Sequence, residues 1–212
     1  MSIARGDKAD NVAANRNLFF CEMGMSESEI AQGVQVSRDG IKIVNSPGRY
    51  AASDALITQE ANVYLAVLTA DCSPILIWSQ DKPLVAAVHS GWQGSELNIL
   101  GQTLEKMRDE LAVNPQSIHV TIGPGLTAEN FEVGLEFQDK FPLEYLSRGL
   151  RKGKFFFDNN RYLKATALDV GVLEKNIEIL PYCSFRDEEL FFSHRRDKVT
   201  TGRMLSVIGI CK

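Results

Sequence analysis

Two apolar runs lying close together, Val63 to Thr69 and Leu84 to Val88, constrain this chain more than any other feature. Neither alternates apolar with polar residues, so each reads as a strand covered on both faces rather than one with a wet side. Asp71-Cys72 stands just after the first run and His89 just after the second. Pro74 opens a third run, Ile75 to Trp78, and Ser79-Gln80-Asp81-Lys82-Pro83 supplies a turn before the His89 strand. A tight meander of these strands would bring Cys72 and His89 together.

Elsewhere the pattern alternates helix and strand signals. Asp10 is positioned to cap a helix through Val12, Leu18, Phe19 and Met23 that stops near Gly24. Asp39-Gly40 between alternating apolar residues predicts a hairpin with Ser37 at the end of its first strand. Ser53 to Thr58 leads toward the central strands, with Asp54 read as a turn former. After the tight turn at Gly91 to Gly94, Ser95 predicts an N-cap for an amphipathic helix through Leu97, Leu100, Leu104, Met107 and Leu111. Ile118 to Ile122 predicts a strand, with His119 a core or edge residue, followed by a glycine-rich loop to Gly134. Phe137, Phe141, Leu143 and Leu146 predict a helix interrupted at Pro142. Arg148, Arg151, Lys152 and Lys154 read as a solvated face. Phe155 to Phe157, an Asp158-capped helix and a strand from Met204 to Cys211 complete the order.

With 212 residues, 44% of them hydrophobic, the chain can bury a substantial core, and one domain spanning 1–212 is expected. Its net charge of −4 gives no footprint for nucleic acid or an anionic membrane, which leaves small molecules as partners. The four cysteines follow no paired spacing and the start has no secretory pattern, so a cytoplasmic setting is expected. No apolar run approaches the roughly 20 residues of a membrane helix.

Cys72 and His89 carry three readings. As metal ligands they supply one thiolate and one imidazole, to which Asp71 could add a carboxylate. As a nucleophilic pair they need the imidazole within reach of the thiol. As structural residues they need no chemistry. Trp92 can wall a ring, and Arg195 with Arg203 can hold an anion. His194, beside the cationic Arg195, is left outside the inner site.

Thr69-Ala-Asp-Cys72, Ala87-Val-His-Ser-Gly-Trp-Gln-Gly94, Ile122-Gly-Pro124 with Phe131-Glu-Val-Gly134, and Phe191-Phe-Ser-His-Arg-Arg-Asp197 with Thr201-Gly-Arg203 together resemble the laccase-domain family, also called multicopper polyphenol oxidoreductases. The resemblance runs in order from about Asp10 to the C-terminus. It implies an α/β sandwich around a mixed sheet, similar to the cysteine-hydrolase domain of cytotoxic necrotizing factor toxins. It also implies a purine nucleoside phosphorylase with adenosine deaminase activity, a transferase and hydrolase acting on purine nucleoside and phosphate. Zinc in that family is held by the histidine of a Gln-Val-His motif, the cysteine of Thr-Ala-Asp-Cys and the histidine before Gly-Trp. By that resemblance Cys72 and His89 bind metal; with the residue chemistry above, Cys72, His89 and Asp71 are expected to be catalytic, and Trp92, Arg195 and Arg203 to meet substrate.

The chain departs from the pattern at several of these positions. Gln35-Val36-Ser37 stands for Gln-Val-His, so Ser37 occupies the place of the third ligand. Gln93 replaces the arginine of Gly-Trp-Arg-Gly, Gly125 a frequent cysteine and His194 a frequent tyrosine, and the amino-terminal Thr-Arg-x-Gly-Gly has no counterpart. The expected function is a phosphorylase and deaminase of this type, impaired by the altered zinc site. The alternative is a catalytically silent member that binds a nucleoside-like ligand or a partner protein.

Overall fold

The computed structural model describes residues 1–2 and 7–211, so the ends of the expected 1–212 domain fall partly outside the described residues. Among the described residues thirteen strands follow one another: β1 (Ile30–Gly33), β2 (Ile41–Ile43), β3 (Gly48–Tyr50), β4 (Ala55–Thr58), β5 (Tyr64–Thr69), β6 (Ser73–Ser79), β7 (Val85–Ser90), β8 (Ile118–Ile122), β9 (Glu132–Val133), β10 (Leu146–Arg148), β11 (Phe155–Phe157), β12 (Ile177–Ile179) and β13 (Met204–Ile208). The α-helices are α1 (Ala9–Glu22), α2 (Trp92–Glu96), α3 (Ile99–Leu111), α4 (Asn159–Val170) and α5 (His194–Asp197).

The fold is mixed α/β, but it is built on two mixed sheets rather than the one expected. The larger runs β12-β8-β6-β7-β4-β2 and the smaller β13-β5-β1-β3, each containing parallel and antiparallel pairs. Leu65 and Val67 of β5 pack against Leu56, Val85 and Ala87 of the larger sheet, forming the core between the sheets. The opposite side chains, Ile57, Ala86 and Val88, pack under Leu100, Leu104 and Met107 of α3 and Leu163 of α4. Tyr64 and Ala66 turn outward against Phe20 of α1. Burial from both sides is why the runs at β5 and β7 lack polar alternation.

Several expectations change in detail. The three runs make no single meander, because β5 lies in the smaller sheet and only β6 and β7 pair as a hairpin. Asp39-Gly40 closes no hairpin either: β1 and β2 belong to different sheets. A Cβ on Gly40 would lie 2.1 Å from the Ala52 carbonyl oxygen, so glycine permits the close crossing of chains there. Asp10 lies inside the first turn of α1 rather than capping it, and Leu18 and Met23 face solvent while Val12, Arg16 and Phe20 are buried. Ser95 lies within α2, and Asn98 precedes α3. Around Pro142 two 3₁₀ turns, Leu135–Asp139 and Leu143–Tyr145, replace the expected helix. Their aromatic residues gather with Phe131 and Phe157 beneath the small β10-β11-β9 sheet. The Asp158 cap is found as expected, accepting the Arg161 N–H at 3.0 Å. Among the described residues no helix is long and apolar enough to cross a membrane.

The β6–β7 turn is tied by Asp81, whose carboxylate accepts the Ser79 hydroxyl and the Asn114 N–H, the latter at 3.1 Å. Hydrogen bonds from Ser79 and Ser117 lower its pKa from 3.8 to about 2. A depressed carboxyl stabilises the fold above its unfolded pKa, and that contribution is lost as pH falls through the folded value. Asp81→Asn is therefore expected to be less stable than the parent to urea at pH 7. The difference should shrink as pH falls from 3.8 through about 2.

Candidate functional site

β6 and β7 pair in a register that sets Pro74 opposite His89 and Ser73 opposite Ser90. Cys72, one residue before β6, therefore lies at the open end of the hairpin beside Gly91. A Cβ at Gly91 would stand 2.9 Å from the Cys72 sulfur, so the glycine leaves the thiol its space. Behind this end the Ser90 and Ser95 hydroxyls lie 3.0 Å apart, Ser95 donates to Asn159 Oδ1 at 2.8 Å, and the Asn159 amide donates to Ser73 at 3.3 Å. All four residues are buried. This satisfied polar network fastens the hairpin end to α2 and α4. Nothing in the sequence marked it, because its members lie far apart in the chain.

His89 alternates with Val85 and Ala87 along β7, so its ring faces the space between the sheets. On the neighbouring strand, Asp54 precedes β4 and receives the ring: His89 Nδ1 lies 2.8 Å from Asp54 Oδ1. Asp54 is thus far more than the expected turn former. Its carboxylate also accepts the backbone N–H groups of Val36, Ser37 and Arg38 at 3.0, 2.9 and 3.1 Å. Burial opposes ionisation of Asp54, yet the bonds from His89, Arg38 and Val36 outweigh it and lower its pKa. Burial likewise opposes the His89 cation, but the Cys72 charge, the Asp54 bond and a hydrogen bond with Cys72 raise it to about 9. With Nδ1 committed to Asp54, Nε2 is the ring atom left for Cys72.

The Ser37 backbone is held by Asp54 in a left-handed conformation, φ 57°. Gln35, two residues earlier, clamps the end of β5: its amide donates to the Leu68 carbonyl at 2.7 Å and accepts the Leu68 N–H at 2.8 Å. The glutamine of this motif thereby extends the smaller sheet with a side chain.

Asp71, at φ 85° in the link between the two sheets, accepts the Ser184 hydroxyl at 2.8 Å and the Arg195 backbone N–H at 2.5 Å. Arg195 in turn donates to the Glu132 carbonyl at 2.7 Å and lies over the Phe131 ring. Arg203 donates to the Gly202 carbonyl at 2.7 Å. Trp92 packs against Phe137 with Lys140 over its ring.

Ser37, Asp71, Cys72, His89, Trp92, Arg195 and Arg203 all line one cavity of about 670 Å³. His194, which was left outside the inner site, also lines it, and its Nδ1 lies 2.9 Å from the Lys198 carbonyl. Arg49 and Thr69 were missed as lining residues. The Thr69 hydroxyl is buried with no hydrogen-bond partner among the described residues, a costly state. His119 lies away from the cavity, stacked on Trp78 at 3.9 Å.

The donor set decides whether a resident metal fits. No group of three His, Cys, Asp or Glu able to hold a metal ion occurs among the described residues. The Asp54 and Asp71 carboxylates are engaged elsewhere, and a serine hydroxyl is a weak ligand at neutral pH. One thiol and one imidazole fall short of the three protein ligands of a catalytic zinc, so the set does not fit.

The family described as multi-copper polyphenol oxidoreductase laccase matches residues 1–211. A Deinococcus radiodurans protein named purine nucleoside phosphorylase is 33% identical over 97% of this chain and 80% of its own length. A Bacteroides thetaiotaomicron protein of the same name is 30% identical over 98% of this chain and 83% of its own. The crystal structure of YlmD from Geobacillus stearothermophilus superimposes with a TM-score of 0.95 at 29% identity, covering 100% of this chain and 84% of that one.

Removing the Asp54 carboxylate strands three backbone N–H groups and a buried histidine. Asp54→Ala is expected to cost about 3–5 kcal/mol in urea unfolding. Ser37→Ala, which keeps the main-chain bond, is expected to stay within about 0.5 kcal/mol of the parent.

Proposed function

Because this chain belongs to the multi-copper polyphenol oxidoreductase laccase family, we propose that it is a purine nucleoside phosphorylase with an accompanying adenosine deaminase activity, acting as one domain in the cytoplasm. The observation that carries the proposal is convergence: residues from widely separated segments of the chain line a single cavity large enough for a nucleoside and phosphate. Relatives named purine nucleoside phosphorylase support the substrate class.

In phosphorolysis, phosphate attacks the ribose carbon as the purine leaves. Arg195 and Arg203 are assigned to the phosphate. Asp71 positions Arg195 through its backbone. Trp92 borders the base. The cationic His89, oriented by Asp54, gives a proton to the departing purine. Cys72 completes the site beside His89, in keeping with a likeness to the cysteine-hydrolase domain of cytotoxic necrotizing factor toxins.

The family's description implies a metal, and zinc is the one its Gln-Val-His pattern would hold. With Ser37 in the third place, this chain is assigned weak zinc binding, and no step is given to the metal. That same deficit favours the second reading, a silent member that binds a nucleoside-like ligand or partner protein without turnover.

Phosphorolysis of inosine and adenosine, measured with Cys72→Ala alongside, separates the two readings. The enzyme reading expects the substitution to lower kcat/KM by about 10²-fold or more. Activity that survives Cys72→Ala overturns the assignment of the site, and no turnover in the parent favours the silent member. Ser37→His tests the metal deficit separately. Histidine tolerates the left-handed backbone found at Ser37, so zinc per chain by elemental analysis is expected to rise from substoichiometric. No rise in a folded variant would mean that the cleft differs by more than one ligand.

A further inference from the structure

The residues that fail to make a metal site make a different device. Cys72 sits at the hairpin mouth, its sulfur against Gly91. The His89 ring beside it is held through Nδ1 by a buried carboxylate, 2.8 Å away. That carboxylate is itself fixed by three backbone N–H groups. A thiol, an imidazole and an orienting carboxylate in this order are the parts of an activated nucleophile, recognised by geometry rather than by sequence spacing.

We propose that Cys72 is a covalent nucleophile that works without a resident metal, with His89 as its proton-sharing partner and Asp54 as the positioning residue, and that it attacks C6 of a 6-aminopurine. The inference rests on the purine reading above and supplies a route for deamination. C6 of such a ring is an amidine carbon bearing an amino leaving group. The proton that Cys72 and His89 share sits on His89 Nε2 as the sulfur bonds to C6. The same proton then goes to the amino nitrogen, the C6–N bond breaks and ammonia leaves a thioether at C6. Water, deprotonated by His89, adds to C6; the C–S bond breaks, and the pair again shares one proton. The products are a 6-oxopurine and free thiol, with water the only co-reactant and no change of oxidation state. The orphan Thr69 hydroxyl in the same cavity offers a hydrogen bond to the ring or its sugar.

6-Chloropurine riboside is the probe, since loss of chloride forms the same C6 thioether without departure of ammonia, and an acid quench holds it before water adds. The protein is dialysed against a chelator, mixed with the probe and read by intact mass and peptide mapping. One adduct on Cys72 is expected, with the exposed Cys21 and Cys211 unmodified. His89→Ala is expected to slow the adduct at least tenfold, with added imidazole restoring part of the rate. Asp54→Asn, with the rate counted per folded molecule by circular dichroism, is expected to slow it similarly; a merely structural Asp54 would leave that rate unchanged. No adduct on Cys72, an adduct that appears only after zinc is added, or a rate indifferent to His89→Ala overturns the proposal. The purine reading fails separately: an adduct in a protein that turns over neither inosine nor adenosine keeps the nucleophile and removes the assigned reaction. Metal-free deamination that persists in Cys72→Ala does the reverse.

Discussion

The Asp54 carboxylate is the point on which the site depends. It is 1% exposed, yet its oxygens are engaged by one imidazole and three backbone N–H groups. A buried carboxylate is tolerable only when satisfied in this way, and each partner is a donor that favours its ionised form. The bond network therefore does two things at once. It fixes the His89 ring in orientation, and it turns the chain after β1 outward so that β2 can join the other sheet.

Two sheets packed face to face leave a seam, and the site occupies one end of it. Asp71 and Cys72 lie in the link from β5 to β6, which carries the chain from one sheet to the other. Such a link cannot continue either ladder, and the positive φ of Asp71 marks how sharply it turns. Strain of that kind persists only where neighbours hold it, and Ser184 and Arg195 do so through the Asp71 side chain. The C-terminal segment is thereby fastened over the seam as the cavity wall, although more than a hundred residues separate it from Asp71.

The parts of this arrangement legible in the sequence were those written locally. Strands β5 to β8, the Asp158 cap and the motif residues around Cys72 and His89 follow from apolar runs, turn residues and order along the chain. Asp54 was misread because an aspartate after serine in a loop looks like a turn former, and its partner His89 is thirty-five residues away. The hairpin at Asp39-Gly40 failed for a related reason. Turn chemistry specifies a reversal, but which sheet receives the returning strand depends on contacts that only the assembled fold supplies. The Ser73, Ser90, Ser95 and Asn159 network was invisible for the same reason, as four ordinary polar residues acquire meaning only when buried together.

Charge completes the account of what the cavity can take. The chain as a whole carries −4, but the cavity is lined by Arg49, Arg195 and Arg203 against the single carboxylate of Asp71. That carboxylate is occupied by a hydroxyl and a backbone N–H rather than turned toward an incoming ligand. A cleft of one sign with low-dielectric walls focuses its field inward, so an acidic protein can still draw an anion into a cationic interior. The same field disfavours binding of a free divalent cation at Cys72 and His89. Ser37 in the ligand position and three arginines around the cavity therefore act in one direction, against a divalent cation in this cleft.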